Sequence, residues 1–308
     1  MGTSRFAVPT LEALIDAGHE VAAVVTQPDR PSSRGLEVHS SPVKLVGERL
    51  GLSAFQPERI REQSAVDTVR SYAPLDAVVV AAFGQIVPQA ILDIPKHGSI
   101  NVHASLLPKY RGAAPIQHAI MAGETKTGVT TMLMDAGLDT GSILLQREVA
   151  IGPAETAGEL EERLAKIGAD LLIETLVRLE QGDIQPQPQD HSLASAARSL
   201  KREDGRIDWR RSAAEVVNLV RAFAPHPGAF TVLAGGEIKI LIAQIGPPVA
   251  EGMAPGEIVE VTGGEIIAAA SGGTVRLIEV QPENRRRMSA GEFARGARLA
   301  AGAIFLGP

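Results

Sequence analysis

Short apolar runs alternate with segments of helical spacing over the first half of this 308-residue chain. Val21–Val25, Ala77–Ala82, Ile100–Val102 and Val129–Met134 are mostly apolar, as strands covered on both faces must be. Between them, Pro9–Ala17, Ser41–Leu50, Ser64–Tyr72 and Ala113–Ala122 repeat apolar residues at helical spacing. Pro9 heads the first of these and Ser41-Pro42 the second, both favourable helix starts. This order predicts an α/β fold with a doubly wound, mostly parallel sheet. Pro9–Ala17 has no strand ahead of it, so the first strand of that sheet is expected to be missing. In a doubly wound sheet the first strand is central, and its omission would leave two edges unpaired.

Thr156-Ala-Gly-Glu159 has the pattern of a capping box, and Leu160, Leu164, Ile167, Leu171 and Leu172 follow at core spacing. Gly182 suits the helix exit, and the Pro- and Gln-rich stretch 183–203 is expected to be a linker. Ser212–Phe223 is amphipathic. Five short strands are then predicted near Phe230–Leu233, Glu237–Ile245, Gly256–Val261, Glu265–Ala270 and Val275–Gln281. The Gly235-Gly236, Gly263-Gly264 and Gly272-Gly273 pairs mark hairpin turns between them. A small β-barrel of the oligonucleotide-binding (OB) type accommodates this pattern. The expected domains are therefore 1–182 and 204–308.

Composition removes several classes. No run approaches the ~18 apolar residues of a membrane span, and no signal peptide begins the chain, so no membrane partner is expected. The absence of cysteine excludes disulfides, thiolate zinc sites and a Cys nucleophile, and it suits a reducing cytoplasm. A net charge of −6 argues against a surface coated in basic charge for nucleic acid, though local patches remain compatible with it. No Gly-rich phosphate loop follows a strand, which disfavours nicotinamide and nucleoside-triphosphate chemistry.

The chemistry-bearing stretch is Gly98–Ile116. Asn101 and His103 alternate with Ile100 and Val102, so an amide and an imidazole share one face of a strand end. In a doubly wound sheet ligands bind beyond the carboxyl ends of strands. Asn can polarise a carbonyl and His can move a proton, the equipment for acyl-type transfer. Asp135-Ala-Gly-Leu-Asp139-Thr-Gly141 ends another predicted strand and brings two carboxylates in a glycine-rich loop. The spacing of His and Asp calls for no metal.

Asn-x-His followed by Ser105-Leu-Leu-Pro108, Arg111-Gly112 and Pro115-Ile116 resembles the signature of 10-formyltetrahydrofolate-dependent formyltransferases. Asp-x-Gly-x-Asp-Thr-Gly is similar to their second motif. Thr26–Pro31, Ser41–Lys44, Asp204–Trp209 and Arg221–Gly228 extend the likeness toward the members that formylate methionyl-tRNA. The resemblance implies catalytic roles for Asn101, His103 and Asp139, the second carboxylate of its loop. It implies folate contacts from Phe83, Gly84, Gln85, Ile86, Val87 and Pro88, and from Ser105, Leu106, Leu107, Pro108 and Asp135. Arg30, Arg34 and Lys44, in or beside an unusually long strand–helix connection, are the implied tRNA contacts. Leu36-Glu-Val38 makes that loop less basic than the family pattern. The implied co-substrate is 10-formyltetrahydrofolate and the implied acceptor is initiator methionyl-tRNA, for translation initiation in the cytoplasm, with no metal and a monomeric enzyme. Related proteins carry a hydrophobic strand ahead of the segment matching Met1-Gly-Thr, so a misplaced start or a shortened chain is expected. Amino-sugar formylation and hydrolysis of the formyl folate are the competing activities on the same fold.

Overall fold

The computed structural model describes residues 1–32, 37–233, 236–248 and 252–308. The chain forms two units. The first contains Met1–Pro115, Thr127–Val149 and Glu161–Arg198; the second contains Ile116–Lys126, Ala150–Leu160 and Ser199–Pro308.

In chain order, the first half comprises α1 (Val8–Asp16), β1 (Val24–Val25), β2 (Arg30–Ser32), β3 (Glu37–His39), α2 (Pro42–Arg49) and β4 (Ala54–Phe55). α3 (Gln63–Ser71), β5 (Val78–Val80), α4 (Gln89–Leu92), β6 (Ser99–His103) and α5 (Pro115–Met121) follow. β7 (Lys126–Leu133), β8 (Ile143–Ala150) and the long α6 (Ala157–Glu180) complete the series. Four predicted helices are thus present to within a residue or two. The Ser41 hydroxyl caps α2 by accepting from the Lys44 amide at 3.1 Å. β1 pairs parallel with β4, β5 parallel with β6, and β6 antiparallel with β7 in the order β5-β6-β7-β8. Val25 of β1, Val80 of β5, Val66 and Val69 of α3 and Ile91 of α4 share one buried core with Ile60. Every residue of β6 is buried. Gly168 lets α6 approach that strand: a Cβ there would lie 2.8 Å from Val102 Cγ1.

Met1–Thr3 occupy the place expected of the first strand. The Gly2 amide donates to Val25 O at 2.9 Å, the Ala81 amide to Met1 O at 3.0 Å and the Thr3 amide to Ala82 O at 3.1 Å. The terminal ammonium reaches Val79 O at 2.6 Å, and burial lowers its pKa to about 5. Two of the predicted strands beside them are shorter than their apolar patterns. Val21–Val25 is a strand only at Val24–Val25, and Ala77–Ala82 only at Val78–Val80, because strand geometry persists where a neighbour supplies the ladder. Between their edges lies a cavity of about 720 Å³, lined among others by Leu11, Val21, Val24, Val69, Val78 and Leu176. Thr10 also faces it, with a buried hydroxyl that makes no hydrogen bond among the described residues.

In the second unit, α7 (Ala213–Phe223) opens on a capping box between Ser212 and Glu215. β9 (Ala229–Leu233), β10 (Gly236–Ile245), β11 (Ile258–Val261), β12 (Ile266–Ala270) and β13 (Gly273–Pro282) match the five predicted strands. They form an antiparallel sheet in the order β11-β12-β13-β10-β9, with β14 (Met288–Ser289) beside β13 and α8 (Ala290–Ala297) after it. Gly272, at φ +68°, turns β12 into β13; Gly235 lies outside the described residues. The last residues close the sheet into a barrel. Leu306 bridges Val232 of β9, and Ile304 bridges Glu257 just ahead of β11. Phe305, between them, is buried and stacks on Trp209 at 5.5 Å between ring centroids.

Candidate active site

β6 runs parallel to β5, with Asn101 opposite Val80, so the loops leaving both strands emerge at the same sheet edge. On its other side, β6 sets Asn101 opposite Met132 and His103 opposite Thr130 of β7. This register buries the two polar side chains, leaving Asn101 9% and His103 6% exposed. Burial of an amide and an imidazole demands partners. The Asn101 Nδ2 group donates to Asp139 Oδ1 at 3.3 Å. His103 Nε2 lies 2.9 Å from the Tyr110 carbonyl, and Nδ1 lies 3.7 Å from Asp139 Oδ2. A carbonyl can only accept, so the hydrogen of this contact is on Nε2, and Nδ1 is the ring nitrogen that faces Asp139. Oδ2 of Asp139 also accepts from the Gly112 amide at 2.8 Å. The structure therefore brings Asn101, His103 and Asp139 together from two distant motifs.

Local backbone makes this possible. Asp139 adopts φ +53°, uncommon for a residue with a side chain. Gly141 packs so tightly under the loop that a Cβ would fall 1.7 Å from Leu133 O. Asp135 takes the other kind of role. Its Oδ1 accepts from the Gly137 amide at 3.0 Å and the Thr140 hydroxyl at 2.7 Å, organising the loop from an exposed position.

The Ser105–Pro108 turn is anchored by its neighbours. The Ser105 hydroxyl donates to Lys109 O at 2.6 Å, and the Thr130 hydroxyl donates to Ser105 O at 2.6 Å. The Leu107 carbonyl accepts from Gln146 Nε2 at 2.9 Å. In the 83–88 loop, Phe83 and Val87 are core residues. Gly84 sits at φ +80°, where a Cβ would collide with the Gln27 amide. The Gln85 side chain accepts from the Ile60 amide at 2.8 Å and donates to Pro57 O at 3.2 Å, so it fastens the loop to the fold. Pro88 leads into α4, while Ile86 is 83% exposed, an apolar side chain presented to solvent at the sheet edge.

Of the basic residues, Arg30 pairs with His39 across the β2–β3 hairpin, and Arg34 lies outside the described residues. Lys44 Nζ is held 2.5 Å from Asp29 Oδ2. That contact and the Gln56 amide lower the Asp29 pKa. Among the described residues, no three His, Asp or Glu side chains cluster as metal ligands would, and no helix is long and apolar enough to cross a membrane.

Gln189 and Arg111 were missed as site residues. Ile184 to Ala197 do not form a free tether within the expected linker: Gln187 bridges Ile143, and Ala197 donates its amide to Arg111 O at 2.6 Å. The Gln189 side chain reaches the Asp139 loop. Nothing in a Pro/Gln-rich stretch signals such a role.

The family described as "Formyl transferase" matches residues 1–176, and "Formyl transferase, C-terminal domain" matches residues 199–298. A methionyl-tRNA formyltransferase of Solibacter usitatus is 51% identical over 301 residues, 97% of this chain and 95% of that protein. Its counterpart in Geobacter metallireducens is 47% identical over 302 residues, 98% and 96% of the two chains. This chain belongs to the methionyl-tRNA formyltransferase family. Other formyltransferases share the family's fold. The sugar 3N-formyl transferase WlaRD superposes with a TM-score of 0.65 at 19% identity, covering 92% of this chain and 97% of that one. The N-formyltransferase of Helicobacter canadensis gives the same TM-score and identity over 90% and 97%. In this methionyl-tRNA formyltransferase family member, the likeness spans both units.

Proposed function

We propose that the chain transfers the formyl group of 10-formyltetrahydrofolate to the α-amine of initiator methionyl-tRNA, with Asn101, His103 and Asp139 as its catalytic groups. The observation that carries this reading is the juxtaposition of the three side chains at the carboxyl end of β6. The methionyl amine attacks the formyl carbon, and the carbonyl electrons move to oxygen. A hydrogen of Asn101 Nδ2 stabilises the oxyanion. His103 Nδ1 takes the proton lost by the attacking nitrogen and passes it to the folate nitrogen as the carbon–nitrogen bond to folate breaks. The Asp139 carboxylate, with Oδ2 3.7 Å from Nδ1, stabilises the imidazolium charge while the proton is on the ring. The products are formylmethionyl-tRNA and tetrahydrofolate, so atoms and charge balance.

The folate sits in this reading against the 83–88 and 105–108 loops. Exposed Ile86 offers an apolar face for a ring system, and the backbone amides of Ile86 and Val87 have no backbone partner among the described residues. Asp135 acts there by shaping its loop. Arg30, Arg34 and Lys44 contact tRNA phosphates, Lys44 exchanging Asp29 for phosphate. Residues 1–182 supply catalysis, 204–308 a tRNA-binding barrel, and 183–203 connect them. The enzyme works as a monomer in the cytoplasm.

Full-length identity near 50% to methionyl-tRNA formyltransferases favours that acceptor over an amino sugar. The test uses labelled 10-formyltetrahydrofolate with methionyl-tRNA, with a nucleotide-linked amino sugar, and with no acceptor. Label on the methionyl amine is expected. Label on the sugar, or formate released without acceptor, would replace this reading by one of the two alternatives.

A further inference from the structure

Asp139 is held in its uncommon conformation from a place far along the chain. Gln189 is buried, at 6% exposure. Its Nε2 donates to the carbonyls of Asp139 at 2.9 Å and Gly141 at 2.7 Å. Its Oε1 accepts from Arg111 Nε at 3.1 Å and from a terminal guanidinium nitrogen at 2.7 Å. An amide is suited to this place because it accepts from a guanidinium at one atom and donates to carbonyls at the other. Glutamate would set a second acceptor against the two carbonyls. Methionine would leave them unpaired.

The arrangement couples two loops. Arg111 belongs to the loop whose Gly112 amide donates to Asp139 Oδ2. That loop is itself pinned by the segment carrying Gln189: the Arg111 amide donates to Ser195 O at 2.8 Å, and the Ala114 amide donates to Ala197 O at 3.1 Å. Gly112 is part of the fit, since a Cβ there would meet Ala197 O at 2.6 Å. A backbone at positive φ persists where surrounding contacts over-determine it. Here the bonds from Gln189 fix the carbonyls of residues 139 and 141, and the side chain of residue 139 then has one direction to take.

We propose that Gln189 is a positioning residue, fixing the 139–141 backbone so that the Asp139 carboxylate meets His103 and Asn101. This rests on the reading of Asp139 as a catalytic group. Gln189 touches neither substrate in that reading and acts through Asp139.

The test is a double-mutant cycle on kcat and KM, using the full chain with both substrates. Gln189→Met is expected to lower kcat by roughly 10–100-fold, as misplacement of a catalytic group by about 1 Å does, with both KM values within about twofold of the parent. In an Asp139→Asn background the same change should lower kcat by less than about twofold, because the group it positions is already disabled. Gln189→Glu, which keeps the acceptor for Arg111, should behave as Gln189→Met does and carries the test should the methionine variant not fold. Gln189→Asn, with the same amide on a shorter stem, should recover part of the lost kcat. A kcat loss that is equal in both backgrounds, or no loss at all, overturns the proposal and leaves the catalytic reading standing. An undiminished kcat in Asp139→Asn alone overturns that reading and this proposal with it.

Discussion

Nδ1 of His103 stands 3.7 Å from Oδ2 of Asp139, and the other oxygen of the same carboxylate accepts from Asn101. One carboxylate thus faces both the imidazole and the amide. Asp139→Asn preserves the shape but turns one acceptor into a donor facing the Gly112 amide or the imidazole. It should lower kcat by about 10²–10⁴ with KM little changed, in line with general acid–base catalysis. Steady-state kinetics at saturating folate would check this, and a kcat within threefold of the parent would remove Asp139 from the mechanism.

Asn101→Ala tests the oxyanion role separately. Loss of one preorganised donor typically costs about 10²–10³ in kcat. A variant that instead raises the KM for folate at constant kcat would make Asn101 a binding group.

Gly141 has no room for a methyl group against the Leu133 carbonyl. Gly141→Ala must displace the loop, so the variant should lose both thermal stability and formyl transfer. Calorimetry and a transfer assay would show it; normal values for both would mean the loop has slack that the packing does not suggest.

The Asp29 carboxylate has a folded pKa held below its ordinary 3.8, first by its hydrogen bond with Lys44 and then by the Gln56 amide. With the folded value depressed, the contact supports folding above the unfolded pKa and ceases to do so as pH falls through the folded value. Lys44→Ala should move the Asp29 titration back up, readable by carboxyl NMR. If Lys44 also meets a phosphate, the same change should flatten the slope of log affinity for tRNA against log salt by about 0.7–0.9. An unchanged slope would leave Lys44 with the Asp29 contact alone.

Thr10 presents to the cavity beside β1 a buried hydroxyl that has no hydrogen-bond partner among the described residues. Thr10→Val removes the desolvated oxygen at nearly constant volume and should stabilise the first unit by about 1 kcal/mol. Denaturant titration would detect it, and a destabilised variant would point to an ordered water on that oxygen. At the other end of the chain, Phe305→Ala should cost about 3–5 kcal/mol, because it empties a core position at the barrel seam.

The hydrophobic pattern alone determined the α/β character of the first half, its helices other than the short α4, and the five strands of the barrel. Those features follow from local periodicity, which each segment carries within itself. It also put Asn101 and His103 on one strand face, since alternation is a property of neighbouring residues. The partnership of Asp139 with them came from the resemblance of motifs, and only the tertiary structure supplied its geometry. The antiparallel seat of β7 beside β6, and the Leu306 and Ile304 bridges that close the barrel, depend on pairing between distant segments that no local pattern encodes. The same holds for Gln189. In sequence it sits among prolines and glutamines that read as a tether. In the folded chain its amide joins an arginine and two carbonyls, because packing rather than composition decides which polar side chain is buried beside which loop.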